Sequence, residues 1–201
     1  MAKQTTRSSI FNLTATAMLL ALTVVFSFFQ VPVGPLRLTL APLPVAIGGV
    51  ILGANAGLFL GAAFGVCSFL TCLGMDAFGV FLFNTNPWLA LIVCLVPRML
   101  CGWLPALLYR WLGQKDPKHL WAPALCSALV AILNTVLFLG TMWLLFGGTF
   151  TTTTSDFHFE SIGALITAAV TINAPVDLLI NLLLGGAIAK AVFAMRRRMH
   201  F

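Results

Sequence analysis

Arg98 is the side chain in this sequence with the clearest capacity for chemistry, because it stands near the middle of an apolar segment long enough to cross a membrane. That segment covers residues 84–103 and has the sequence NTNPWLALIVCLVPRMLCGW. A cation at this depth costs at least ~2.5–3.5 kcal/mol on insertion scales, so it normally faces protein or water and serves a function. A guanidinium can hold a carboxylate through two parallel charge-assisted hydrogen bonds. We therefore expect Arg98 to bind a small solute within a bundle of helices.

Polar side chains from two later segments are expected near the depth of Arg98. Asn134 lies about 12 residues, and Asn173 about 11 residues, below the outer ends of their apolar segments. At 1.5 Å per residue these separations correspond to roughly 16–18 Å, which is also the depth of Arg98. Asp177 and Asn181 follow Asn173 at intervals of four residues, so the three share one helix face. Because polar groups in lipid turn toward other helices, we predict a binding site containing Arg98, Asn134, Asn173 and Asp177.

A purely structural role for these polar groups is an open alternative at this stage. Arg98 and Asp177 carry opposite charges and could neutralise one another in a buried ion pair that fixes helix packing. Asn134 and Asn173 would then supply hydrogen bonds between helices. The two interpretations differ in whether the guanidinium is left available to a ligand.

The aromatic stretch that precedes the Arg98 segment is predicted to cover the site from the outside. Residues 74–87 (GMDAFGVFLFNTNP) contain three phenylalanines that would be poorly placed in water. We expect this stretch to be an outer loop that folds back as a lid over the mouth of the bundle. A polar floor beneath an aromatic cover suits a small amphiphilic ligand. The side chains expected to contact it at the mouth are Phe83, Asn84, Asn86 and Trp88.

The composition indicates an integral membrane protein. The 201 residues are 60% hydrophobic and only 8% charged, whereas soluble domains are about 25% charged. A helical span needs about 20 apolar residues. The sequence therefore predicts a single all-α membrane domain over residues 1–201, formed by a bundle of six transmembrane helices. The expected helices cover residues 10–33, 41–53, 56–73, 87–111, 120–146 and 161–195.

The distribution of basic residues predicts the orientation of this bundle. Lysines and arginines cluster at alternate ends of the apolar segments, and the opposite loops hold only Arg37. Cytoplasmic loops carry such an excess of basic residues, so both termini and the loop at residues 113–119 are expected in the cytoplasm. The clustered residues are Lys3, Arg7, Arg110, Lys115, Lys118, Lys190, Arg196, Arg197 and Arg198.

Four glycines in the second and third apolar segments predict a close contact between helices. Gly53, Gly57, Gly61 and Gly65 are spaced four residues apart and would form one smooth ridge. A neighbouring backbone can approach such a ridge closely, and we interpret it as a site of internal helix packing.

Several motifs that would point to catalysis or to ATP use do not occur. The sequence has no GxxxxGK[ST] phosphate loop, no HExxH, no nucleophile elbow and no CxxC. The chain is therefore not expected to be an enzyme or to drive ATP-powered transport by itself. Its five cysteines are odd in number and lie in apolar segments, so neither a disulfide framework nor a zinc site is predicted. No metal, cofactor or nucleic acid is expected.

A set of short motifs carries a resemblance to a known family. They are the pair Ala17 and Ala21 (AxxxA) on the first helix, residues 38–70 (LTLAPLPVAIGGVILGANAGLFLGAAFGVCSFL), residues 96–112 (VPRMLCGWLPALLYRWL) and residues 133–140 (LNTVLFLG). In order and spacing they resemble helices one to five of the S components of energy-coupling factor (ECF) transporters, the vitamin-capturing membrane subunits of bacteria and archaea. The VPR and NT elements are most similar to the pantothenate branch, where the matching positions are Arg98 and Asn134.

The resemblance implies a protein of the bacterial or archaeal cytoplasmic membrane that binds a vitamin from the outside. It would act with a transmembrane coupling protein, docked through Ala17 and Ala21, and with two cytosolic ATPases, and would topple in the membrane to release its ligand. Pantothenate suits the candidate side chains best, because its carboxylate matches arginine and its amide and hydroxyls match asparagine. Folate, riboflavin or a pyridoxine-like vitamin are alternatives within the family. A membrane scaffold and an autonomous secondary permease are alternatives from other classes.

Overall fold

The computed structural model describes a set of apolar helices and one short β-hairpin. The description covers residues 2–33, 36–75, 77–112, 121–146, 174–185 and 187. In chain order the elements are α1 (Ala2–Phe28), β1 (Gln30–Val33), β2 (Leu36–Thr39), α2 (Pro42–Leu52), α3 (Ala54–Thr71), α4 (Ala77–Thr85), α5 (Pro87–Leu112), α6 (Ala122–Phe146) and α7 (Ala174–Ile180), which continues as a π-helical turn (Asn181–Gly185).

The described helices have the length and composition of a membrane protein. Within the described ranges, four stretches are long and apolar enough to cross a membrane, namely Ile10–Phe28, Ala54–Thr71, Pro87–Leu112 and Ala122–Phe146. Shorter apolar helices are found at Pro42–Leu52 and Ala174–Leu184. The predicted helical membrane class is thus confirmed. The count of six helices and the cytoplasmic position of both termini stay predictions, because residues 113–120 and 147–173 lie outside the described residues.

The first helix ends earlier at its C-terminus than predicted. It ends at Phe28, and residues 30–39 form an antiparallel hairpin in which Gln30 pairs with Thr39 and Val33 with Leu36. The Thr39 hydroxyl donates a 2.8 Å hydrogen bond to the main-chain oxygen of Phe26, which joins the hairpin to the end of α1. Helix extension to residue 33 is disfavoured because Pro32 lacks the N–H that the helix requires and its ring would crowd the preceding turn.

The stretch predicted as an outer loop contains the helix α4. Residues 74–87 are predicted to be an outer loop that folds back as a lid, but Ala77–Thr85 is helical. Leu82 is almost fully buried and belongs to one apolar cluster with Val93 of α5 and Phe146 of α6. This burial stabilises a helix that is too short to be stable alone. The loop assignment was therefore wrong, although α4 does pack against the bundle as a lid would.

Helix α5 lies at the centre of the described bundle. Helices α2, α3, α4 and α6 all pack against it. The π-helical turn after α7 packs against α2 and α6. All five cysteines are buried, and none forms a disulfide.

The glycine ridge of α3 is the reason that α3 and α5 approach so closely, as the sequence predicted. A Cβ added at Gly57 would overlap the main-chain oxygen of Gly102, and a Cβ added at Gly61 would overlap that of Arg98. At Gly65 an added Cβ would also lie within 3.0 Å of α5 backbone atoms. The contact fixes the α5 backbone at the residue that carries the guanidinium.

Gly53 does not belong to this ridge. It ends α2 with φ of 99° and ψ of 178°, a conformation that is essentially restricted to glycine. Its role is therefore the sharp turn between α2 and α3, which lets the ridge begin at Gly57.

Candidate binding site

Arg98 lies on the buried side of α5, with 9% of its surface exposed. Its Nη1 donates a 3.2 Å hydrogen bond to the main-chain oxygen of Val93. The guanidinium carbon lies 5.3 Å from the ring centre of Phe64 on α3 and 4.7 Å from that of Phe138 on α6. Both distances are within the range of cation–π contacts. Three helices therefore position this cation in the interior of the bundle.

The guanidinium has a donor that the described protein residues do not use. Its Nε is buried and has no hydrogen-bond partner among them. Leaving a buried donor unsatisfied costs roughly 1–3 kcal/mol, and more for a charged group. Buried polar groups in native proteins almost always find a partner in protein, ligand or water. Arg98 thus presents a buried, charged N–H that the described residues leave without an acceptor.

Asp177 makes its hydrogen bonds within α7 and the π-helical turn. The Asn181 side-chain amide donates to the Asp177 main-chain oxygen at 2.9 Å and to its Oδ1 at 3.0 Å. Both side chains are buried, and Asn181 is only 1% exposed. Within the described parts of the chain, no ion pair joins Asp177 to Arg98. The contacts of the two side chains therefore do not support the ion-pair interpretation.

Helix α6 contributes two more buried polar atoms. Asn134 is half-buried and its Oδ1 has no hydrogen-bond partner among the described residues. The Oγ of Ser127 is also buried and has no hydrogen-bond partner among the described residues. Ser127 precedes Asn134 by seven residues and lies on the same helix face. Asn134 also stands one turn before Phe138, whose ring covers Arg98. Asn173, the fourth predicted polar residue, lies outside the described residues.

The predicted rim residues have different environments. Phe83 is half-buried, and its ring centre lies 5.9 Å from that of Phe69 near the C-terminal end of α3. Asn84 is exposed near the end of α4, and Trp88 is exposed over 75% of its surface. A tryptophan at the end of a span commonly sits at the interface between lipid and water. Of these three side chains, Phe83 is the one that packs against the bundle.

Asn86 is the N-cap of α5. Its Oδ1 accepts hydrogen bonds from the main-chain N–H groups of Trp88 at 3.1 Å and Leu89 at 3.3 Å. Such caps satisfy donors that have no partner inside the helix. The amide oxygen therefore has a structural partner, and any contact of Asn86 with a ligand would come from its amide nitrogen.

Ala17 and Ala21 lie on the exposed side of α1. The opposite side of the same helix carries Thr23 and Ser27, both of which are fully buried. Helix α1 thus packs on the bundle with one face and presents the predicted small-residue face outward.

Two aromatic members of the site were not predicted from the sequence. Phe64 and Phe138 both lie against the Arg98 guanidinium, yet neither was among the expected binding residues. A weak signal for each does exist, because Phe64 follows Gly61 by three residues and Phe138 follows Asn134 by four. At these spacings each phenylalanine shares a helix face with a residue that the sequence had singled out.

One known family matches a part of the chain that contains the whole of this site. The family described as "ECF transporter, substrate-specific component" matches residues 11–189. The chain is also similar to the pantothenic acid transporter PanT of Lactococcus lactis subsp. cremoris (strain MG1363). The two are 32% identical over 172 residues, an alignment that covers 81% of each chain.

Proposed function

The chain belongs to the family of ECF transporter substrate-specific components, and on that premise we propose that it captures pantothenate outside the cell for ATP-driven uptake. As a family member it is a vitamin-specific transporter subunit, a multi-pass membrane protein and not an enzyme. It acts together with other ECF transporter components in the membrane. The proposal adds the identity of the vitamin, a location in the cell membrane, and a partnership with a transmembrane coupling protein and two cytosolic ATPases.

The observation that best supports pantothenate as the ligand is the buried guanidinium of Arg98. Its Nε has no acceptor among the described residues. Pantothenate has one carboxylate, one amide, two hydroxyls and a dimethyl group. Its carboxylate would accept two hydrogen bonds from the guanidinium. Its amide N–H and hydroxyls would donate to the Asn134 Oδ1 and to the Asp177 carboxylate. We propose Asn173, Phe83, Asn84, Asn86 and Trp88 as further contacts along the path from the outer surface.

Other vitamins match this arrangement less well. Thiamine is a cation and would be repelled by a buried arginine. Riboflavin and pyridoxine lack a carboxylate, so the Arg98 charge would be left without a counter-ion in a buried site, which is costly. Folate has carboxylates but is much larger than pantothenate. The similarity to a pantothenic acid transporter supports the same choice.

A displacement assay tests the choice of vitamin. Radiolabelled pantothenate should bind the purified protein with a Kd below ~1 μM, which corresponds to about 8 kcal/mol of binding free energy. Unlabelled pantothenate should displace it. Pantothenol, in which an alcohol replaces the carboxylate, should compete poorly, as should folate, riboflavin and pyridoxine. Tight binding of one of these other vitamins, with none of pantothenate, would assign the site to that vitamin instead.

Reconstitution separates the proposed subunit from a scaffold and from a permease. Liposomes that contain this chain alone should bind pantothenate without accumulating it. Accumulation should require the coupling protein, both ATPases and ATP. A scaffold would bind no vitamin in either preparation, and a permease would accumulate pantothenate without the ATPases.

The exposed small-residue face of α1 is the proposed contact with the coupling protein. Small side chains allow two helices to approach closely, so the pair Ala17→Leu and Ala21→Leu should reduce co-purification and reconstituted uptake by about tenfold or more. The Kd for pantothenate should stay within about twofold of the wild-type value, because this face lies on the outside of the bundle. Met18→Leu, a substitution of similar volume at an exposed position between them, is the matched control. Unchanged uptake in the double variant would place the docking surface elsewhere.

A further inference from the structure

Helix α5 has a proline immediately before its buried arginine, and the two residues are linked through the same backbone carbonyl. In a regular helix the Val93 oxygen would accept a hydrogen bond from the N–H of residue 97. Residue 97 is a proline, which has no N–H, and its ring crowds that carbonyl. Arg98 Nη1 donates to this same Val93 oxygen at 3.2 Å. The side chain of Arg98 thus takes the place of the helical donor that Pro97 lacks.

The contact with Val93 uses one donor of Nη1 and leaves the Nε–Nη2 edge of the guanidinium for a ligand. Phe64 and Phe138 lie against the guanidinium at 5.3 and 4.7 Å from its central carbon. One N–H of Nη1 donates to the Val93 carbonyl, and Nε has no partner among the described residues. Nε–H and one N–H of Nη2 point in parallel directions, which is the arrangement that binds both oxygens of a carboxylate.

We propose that Pro97 is a positioning residue for the vitamin carboxylate, because the Val93 carbonyl that it leaves without a helical donor anchors Arg98 and directs the Nε–Nη2 edge at the ligand. The nature of that ligand rests on the proposed function. The anchoring itself does not, since it is a property of the ligand-free protein. The two parts can therefore be tested separately.

The test with ligand compares pantothenate with pantothenol in the Pro97→Ala variant. The new N–H of residue 97 would bond to Val93 and displace the Arg98 anchor. Because a misplaced binding group is costly, the Kd for pantothenate should rise by about tenfold or more. The Kd for pantothenol, which has no carboxylate, should change by less than about threefold. The ratio of the pantothenol Kd to the pantothenate Kd should therefore be smaller than in the wild-type protein.

Pro105→Ala is the matched control for this experiment. Pro105 lies in the same helix and is also buried, but the residue after it is an alanine rather than an arginine. The control should retain the wild-type ratio of the two Kd values. If Pro97→Ala raised both Kd values by the same factor, the proposal would be overturned, because the proline would then shape the helix without directing Arg98. Two unchanged Kd values would overturn it as well.

A second measurement needs no ligand and isolates the anchor. Removing Arg98 from the wild-type protein should lower the melting temperature, because the buried Val93 carbonyl then loses its donor. In the Pro97→Ala background the same removal should lower it less, because the backbone N–H of residue 97 satisfies that carbonyl. Equal decreases in the two backgrounds would contradict the anchor. Loss of folding in Pro97→Ala would contradict it too, since the proposal requires the added N–H to satisfy Val93.

If the wild-type protein binds no pantothenate while the melting temperatures show the coupling, the proposed vitamin fails and the anchor stands. If pantothenate binds but the melting temperatures show no coupling, the proposed vitamin stands and the anchor fails. The failures of the two proposals are thereby distinguished.

Discussion

Arg98→Ala is expected to weaken pantothenate binding by about 30- to 4000-fold, because truncating one partner of a buried, hydrogen-bonded charge pair costs about 2–5 kcal/mol and every 1.4 kcal/mol is tenfold in Kd. Arg98 is only 9% exposed, so bulk water has little access to the carboxylate in this site. Titration of the purified variant with labelled pantothenate measures the effect directly. Binding within about threefold of the wild-type value would exclude Arg98 as the carboxylate ligand.

Arg98→Lys is the informative companion to this variant. It keeps the positive charge but loses the planar fork of the guanidinium and the contacts of that planar group with the Phe64 and Phe138 rings. The Kd of the lysine variant should therefore lie between those of wild type and Arg98→Ala. A lysine variant as tight as wild type would show that charge alone suffices, and that the geometry of the guanidinium has no role.

The ion-pair alternative predicts a different pattern of stability. If Arg98 and Asp177 neutralised one another, Arg98→Ala would leave a buried carboxylate without a partner and unfold the protein, and adding Asp177→Ala would restore it. In the structure Asp177 is instead bonded to Asn181. We therefore expect the two substitutions to have independent effects on the melting temperature. Rescue by the second substitution would favour the structural interpretation.

The burial of Arg98 could be predicted from the sequence because it depends on one number, the depth of a charge in an apolar segment. The partners of that charge could not be predicted. Phe64 and Phe138 meet it from α3 and α6, and their alignment depends on how these helices are rotated and shifted against α5. The hydrophobic pattern of a span says little about rotation, since all its faces are apolar.

Two structural features that were not predicted have local signals in the sequence. Pro32, Gly34 and Pro35 lie within an alternating stretch, which is typical of a hairpin turn rather than of a helix end. Asn86 followed by Pro87 is typical of an N-cap and first helical residue, which indicates a structural role for the asparagine. Helix α4 had no such signal, because it is stabilised mainly by burial of Leu82 in an apolar cluster that no local pattern reveals.

Gly61→Leu is expected to cause a large loss of stability. A Cβ at this position would overlap the main-chain oxygen of Arg98, which cannot move aside as a flexible side chain could. Overpacking a well-packed core typically costs 1–3 kcal/mol, and we expect about 3 kcal/mol or more here because the obstacle is backbone. Separation of α3 from α5 would also move Phe64 away from the guanidinium. The variant should therefore show a lower melting temperature together with weaker pantothenate binding.

Gly140→Leu is the matched control, because it adds the same side chain to another apolar, membrane-spanning helix. Apart from its two chain neighbours and the nearby backbone of α6, no described residue has an atom within 4 Å of a Cβ placed at Gly140. Leucine also has a higher helix propensity than glycine by somewhat less than ~1 kcal/mol. This variant should therefore be as stable as wild type or slightly more stable. If Gly61→Leu behaved in the same way, the close approach of α3 to α5 would not be needed to hold Arg98. Loss of binding with a normal melting temperature would instead mean that the ridge positions the guanidinium without contributing to the stability of the bundle.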